Sequence, residues 1–431
     1  MSIKKKGLLA VVTGCMLLVL MACGGDTDDD ERTTIVFSHW GGETTFETVY
    51  RDRIAEFERQ NPDIRIEVLT VADGYDTVVQ TMLIGREQID VIQLAEAAPQ
   101  FALRNQLLDL TDFINEAGID LEENWADGIS QYQIGDRTFG LPDRGGPMIL
   151  YYNKDLFDEA GLAYPDETWT AEQLQDALEA LTIVENGETV QWGGSWLSWF
   201  PQWGNEIKRH GGHFIENGEV VVNSPQNLAA LTTWLENYET GYITTVESLE
   251  SSVHPNGDGM FAAGEIALLM TGFWNIASFA EVDDLNFDIV PVWIGDHATT
   301  WPFGSALTIA SNSKHSEEAF RFIEFMTGYE GQLILGESMG DSPAHLGVLN
   351  SDDFINREIN GKDLSLDVIA TSAERVMIDE LFQMPFYADV SSRGGDFVQE
   401  MLLGRMTPQQ VLDELEVEML QLMDEFSGVI N

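Results

Sequence analysis

From Thr33 onward the apolar positions switch repeatedly between two periods. "TIVFSHW" (34–40) is a near-continuous apolar run, as a buried strand requires, and Gly41-Gly42 closes it. Phe46, Val49, Tyr50, Ile54 and Phe57 then recur at helical spacing until Asn61-Pro62 ends the segment. "IRIEVLTV" (64–71) alternates like a strand, "DTVVQTMLIG" (76–85) reads as a helix, and "IDVIQLA" (89–95) is another buried strand. This strand–helix alternation predicts α/β architecture, a parallel sheet with helices on both faces. Further on, "TWTAEQLQDALEAL" (168–181) sets Thr170 and Gln173 in capping-box register, with Leu174, Leu178 and Leu181 on one face. "SEEAFRFIEFMTGYEGQLIL" (316–335) is helical in pattern. So is "TPQQVLDELEVEMLQLMDEF" (407–426), opened by Thr407, Pro408 and Gln410.

The first 32 residues follow different rules. Lys4–Lys6 precede an apolar run, "GLLAVVTGCMLLVLMA" (7–22), that ends in small residues, the pattern of a secretory signal. The run is short for a spanning helix, and acids rather than basic residues follow it. Leu20-Met21-Ala22-Cys23 resembles a bacterial lipobox, in which the cysteine becomes the lipidated first residue. The alternative is an ordinary signal peptide with an incidental cysteine. On the lipobox reading, residues 1–22 are the lipoprotein signal peptide, Cys23 is the lipidation site, and 23–32 form a flexible acidic tether.

Composition narrows the partners. The 431 residues suggest two or three domains. Against 73 acidic residues stand 22 basic ones, a formal net charge of −51, which excludes a phosphate-binding basic face and so argues for no nucleic acid. So much negative charge repels itself unless salt screens it, and this points to a saline or alkaline exterior, with a merely acidic soluble protein as the plainer reading. The two cysteines, Cys15 and Cys23, both lie in the leader, so the body has no disulfide framework and no cysteine metal site.

An ordered set of segments resembles the sugar-type extracellular solute-binding proteins of ABC importers, the maltose-binding-protein-like group. The strongest is "ILYYNKDLFDEAGLAYPDETWTAEQL" (149–174), and "FERQNPDIRIEV" (57–68), "IDVIQ" (89–93), "MFAAGEIALLMTGFWNIASF" (260–279) and "SEEAFRFIEFMTGYEGQ" match further parts. The resemblance implies a two-lobed periplasmic-binding-protein-like fold, each lobe a mostly parallel sheet flanked by helices, with ligand in the cleft between. Mapped here, the first lobe is 33–142 plus 303–345 and the second 143–302 plus 346–431. It also implies a carbohydrate ligand of oligosaccharide length, an ABC permease and its ATPase as partners, no cofactor, a monomer, and an extracytoplasmic place on the membrane through a lipid anchor.

Sugars present C–H faces and a rim of hydroxyls, so their sites combine flat aromatic rings with planar polar partners. "SWLSWFPQW" (195–203) supplies Trp196, Trp199 and Trp203, and its flanking glycines and Pro201 suggest a partly exposed loop instead of core. "SHWGGE" follows the first strand and offers His39, Trp40 and Glu43, or else a glycine turn over a buried tryptophan. Tyr75 and Glu96 occupy similar strand-end positions. Asp143 and Arg144 sit at the first expected crossover, facing the cleft or serving the hinge. Trp301, Phe303 and Gly304 sit at the second, with Phe303 equally suited to core. Trp274 in "GFWN" matches a position that stacks on sugar in the family the chain resembles. Ser391 and Arg393 lie where that family has a ligand-facing helix, although a surface ion pair is the other reading for Arg393.

No HExxH, Walker loop, GxSxG elbow or CxxC is present, and "HGGH" (210–213) reads as a loop before it reads as a metal site. Acidic pairs carry no information in so acidic a chain. The expectation is a binding protein, not an enzyme; the competing class is a lipid-anchored glycosidase or lyase using cleft carboxylates.

Overall fold

A computed structural model describes residues 32–72, 74–254, 257–292, 300–338, 341–376 and 378–427; the leader, Cys23 and the acidic tether lie outside them. The first strand, Thr33–Trp40, pairs in parallel with Ile64–Val71 on one side and Val91–Leu94 on the other. Two long elements then cross the molecule. Gly140–Asn153, fourteen residues, runs antiparallel to Pro302–Ile309, which itself pairs with Val91–Leu94. The far end of Gly140–Asn153 pairs with Ile266–Gly272 and with Phe287–Pro291, and Ile266–Gly272 continues to Glu188–Ser195.

Two sets of hydrophobic cores sit on either side of these crossing strands. One draws Ile35, Phe57, Leu141, Leu307 and Phe322 together; the other draws Leu150, Trp203, Leu268, Trp301 and Leu415 together. The second lobe departs from the mostly parallel sheet expected. Gly140–Asn153 enters it travelling outward from the first lobe, and both neighbours return against it, so the sheet there is mixed.

Local chemistry explains several element ends. Asn153 caps the helix Lys154–Ala160, its side chain accepting from the N–H groups of Asp155 at 3.1 Å and Leu156 at 3.3 Å. Thr170–Gln173 and Thr407–Gln410 are both complete capping boxes. The 316–335 pattern resolves into two helices, Ser316–Thr327 and Tyr329–Ser338, joined at Gly328. A Cβ on Gly328 would fall 2.7 Å from the Glu324 carbonyl, and one on Gly331 2.2 Å from that of Phe325, so the turn admits only glycine. Among the described residues no helix is long and apolar enough to cross a membrane.

Candidate functional site: an aromatic and polar cleft at the crossovers

The crossovers carry the polar framework. Asp143, fully buried, is ion-paired to Arg53 and accepts from the Tyr50 hydroxyl at 3.3 Å. Arg144 turns the other way, donating from Nη1 to Asp341 at 2.7 Å while its guanidinium lies 5.1 Å from the Trp40 ring centroid. Gln332 donates to the Asp143 carbonyl at 2.7 Å and accepts from the Ala344 N–H at 2.7 Å, tying the first crossover to the 341–345 segment. The Gln93 amide lies 2.8 Å from Ser305 Oγ on the second crossover. Burial pushes the Asp341 carboxyl up, with Arg144 opposing it.

Above this framework is a hollow of about 280 Å³. Of the expected residues, Trp40, Arg144, Trp274, Phe303 and Gly304 line it, and Asp341 and Ser305 join them. A side chain at Gly304 would meet the Arg144 carbonyl at 2.8 Å, so glycine keeps the two crossovers close. Trp199 reaches the hollow through Phe303, on which it stacks at 5.2 Å and 12°. Trp199 and Trp274 remain 41% and 37% exposed, unusual for indoles among packed aromatics. Glu96 keeps open surface yet is walled by protein, and desolvation, followed by the charge of Asp76, pushes its carboxyl up. Burial pushes the hydroxyls of Tyr132 and Tyr387 up, with the charge of Glu96 adding to both. Two segments distant in the chain meet directly, Gln383 Nε2 donating to the Ser130 carbonyl at 3.2 Å and Gln100 Nε2 to that of Pro385 at 3.3 Å. Glu43 is exposed at the start of the helix Gly42–Thr45.

Several expected residues are placed elsewhere. His39 is fully buried; its Nδ1 faces the Trp40 carbonyl at 2.8 Å and so carries the proton, leaving Nε2 to accept from Thr70 Oγ1 at 3.1 Å. Strand alternation turns Trp40 to the hollow and His39 inward against Tyr50. Tyr75 is buried, its hydroxyl donating to the Ser38 carbonyl at 2.9 Å. Asp143 does not line the hollow, for Arg53 and Tyr50 hold its carboxylate. Trp196, Trp203 and Trp301 are core. Pro201 marks no loop but stands in the first turn of the helix Phe200–Arg209, where a missing N–H costs nothing, so Trp203 is buried within the helix. Arg393 is exposed and lies 3.8 Å from Glu418 on the C-terminal helix, the ion-pair reading. Ser391 is half-buried one turn before Gly395, whose Cα faces the Ser198 carbonyl. His213 of "HGGH" meets Lys208 and Asp379.

Arg53, Asp76, Tyr132 and Asp341 were not anticipated. Arg53 had a legible signal, since it falls three residues after Tyr50 and four before Phe57, on the buried stripe. Asp341 had none; only the folding of the 341–345 segment against the first crossover brings it to Arg144.

The family model for bacterial extracellular solute-binding proteins matches residues 42–333, more than half of the chain. The chain belongs to that family. The binding protein is 22% identical to the arabinooligosaccharide-binding protein of Bacillus subtilis over 94% of this chain and 96% of the relative. Among solved structures it is similar to an ABC substrate-binding protein of Listeria monocytogenes in complex with cycloalternan, with a TM-score of 0.79, 23% identity, and 92% and 99% of the two chains covered. It is equally similar in fold to the sugar-binding protein MalE of Xanthomonas citri, with a TM-score of 0.79, 20% identity, and 92% and 99% coverage. The two-lobed α/β fold is thereby shown, and the binding protein's hollow falls at the crossovers that join the lobes, beyond the carboxyl end of Thr33–Trp40.

Proposed function

We propose that this binding protein captures a carbohydrate, of oligosaccharide length, outside the cell and delivers it to a membrane permease and its ATPase. The observation that carries the reading is the pairing of half-exposed indoles, Trp199 and Trp274, with a crossover framework whose polar groups are already fixed. Sugars need apolar faces and preorganised hydrogen-bonding edges in one place. Trp40, Arg144, Glu96, Phe303 and Gly304 complete the proposed contact set, with Glu43 and Ser391 at its margin. The lobes are taken as 33–142 plus 303–345 and 143–302 plus 346–431. Ligand bridging both would favour a closed hinge angle. The relatives support the class, one being an arabinooligosaccharide-binding protein and another a substrate-binding protein in complex with cycloalternan.

A thermal-shift screen of neutral oligosaccharides tests this, because a ligand that binds only the folded state raises the midpoint. Saturable quenching of tryptophan fluorescence with unchanged oligosaccharide on chromatography is the expected result. Accumulating products would overturn it in favour of a lipid-anchored carbohydrate-active enzyme. We further propose attachment to the membrane through a lipid on Cys23, as a monomer. Cys23→Ser should release the protein into the medium, and continued membrane retention would remove the anchor.

A further inference from the structure

We infer that the protein carries a second ligand site, for a small hydroxylated oxyanion, at the sheet end remote from the crossover hollow. A cavity of about 730 Å³ opens there, within the size range of small-molecule sites. Its walls come from the turn after the helix Tyr75–Gly85, the residues after the helix Ala98–Leu103, and the 311–315 turn that follows Pro302–Ile309. Gly304 of the hollow and Ser311 of this cavity lie at opposite ends of that last strand. Seven residues of extended chain separate them by roughly 20 Å, so the two sites are distinct.

Which cations are left over decides the ligand's charge. Arg51, Arg59, Arg321 and Arg405 each meet a surface carboxylate, and Arg53, Arg144 and Lys208 meet inward ones. Among the described residues only Arg86, Arg104, Arg137 and Lys314 have no ion-pair or hydrogen-bond partner for the side chain. Arg137 lies over the Phe139 ring. The other three gather here: Arg86 and Lys314 line the cavity, and Arg104 precedes Asn105, which also lines it. In a chain of net charge −51 they make an electropositive recess in an acidic surface. His315 adds an imidazole and the N-terminal end of Ser316–Thr327, which favours negative charge although Glu317 and Glu318 share its first turn. Two acids also line the cavity. Asp90 is spent on the framework, accepting from the Val36 N–H at 3.0 Å and from Ser313 Oγ at 2.6 Å, which fixes the floor in advance of any ligand. Glu87 is exposed. Gln106 brings a side-chain oxygen that is buried with no partner among the described residues, an acceptor suited to a ligand hydroxyl. The occupant is therefore a hydroxylated carboxylate or phosphate, its oxyanion held by Arg86 and Lys314.

Titration calorimetry with citrate and with inorganic phosphate, each against NaCl at matched ionic strength, tests the site. A saturable heat at one site per chain is expected for at least one of them, and the anion that binds names the oxyanion. Arg86→Asn combined with Lys314→Gln should weaken that binding about tenfold or more, the loss of charge-assisted hydrogen bonds. Asparagine suits the left-handed backbone that Arg86 holds at φ 55°, and both positions are exposed, so the melting point in NaCl should stay unchanged. Glu87→Gln should tighten binding. Heats no larger than the NaCl control for both anions, or binding undiminished in the double variant, would overturn the site. Either result leaves the carbohydrate reading untouched, because the hollow lies at the other end of the strand.

Discussion

Asp143→Ala should damage the fold far more than the site. Arg53 is 1% exposed and Asp143 is fully buried, so neither charge has water to fall back on. Among the described residues Arg53 is held through Nη2 alone, by Asp143 and the Met326 carbonyl, while its Nε and Nη1 have no partner. Removing the carboxylate strands a guanidinium in the first lobe, which costs about 3–5 kcal/mol when a buried pair is broken from one side. An unfolding entropy of about 2 cal/mol/K per residue over roughly 400 residues converts this into a midpoint drop on the order of 5 °C. The assay is calorimetric melting with urea unfolding as a second measure. The double variant Arg53→Met with Asp143→Leu removes both charges and should recover much of the loss, giving a positive coupling in the double-mutant cycle. An Asp143→Ala protein within about 1 kcal/mol of wild type, or a double variant no better than the worse single one, would refute the reasoning.

Three further predictions use other parts of the molecule. Burial lowers the His39 pKa below its ordinary value, so the unfolded chain takes up the proton first as pH falls. The stability this neutral ring contributes is complete above about pH 6.5 and is lost as pH drops through the folded value, so His39→Gln should flatten the stability slope between pH 7 and 5; an unchanged slope counts against it. Thr407→Ala removes the side-chain acceptor for the Gln410 N–H and should cost about 1 kcal/mol, with faster amide exchange in the first turn of Pro408–Glu425 as the readout. The melting point should rise between low salt and molar NaCl, because the net charge of −51 repels itself; a midpoint indifferent to salt would remove the case for a saline setting.

How much of the site was legible depended on whether its cause was local. Trp40 was reachable because a strand end followed by glycines is a local statement, yet the same stretch could not tell Trp40 from His39. That distinction needed the strand's pairing, which decides the inward face. Trp199 and Trp203 pose the same problem four residues apart. One precedes a helix whose first turn contains Pro201, and the other lies inside it, facing Phe200 and Phe214.

The sequence by itself determined the alternation of strands and helices, the capping boxes at Thr170 and Thr407, and an ordered likeness strong enough to imply two lobes. The alternation and the caps follow from hydrophobic period and short-range hydrogen bonding, which act within a few residues, whereas the two lobes came only through the resemblance. Only the tertiary structure decided that Asp143 belongs to Arg53 and Arg144 to Asp341, pairings that span 90 and 197 residues. It alone set Trp199 against Phe303 and Trp274 at an angle, since three segments far apart in the chain meet there. A charge or a ring takes its role from what surrounds it, and no spacing along the chain encodes contacts between segments that meet only once both lobes have packed.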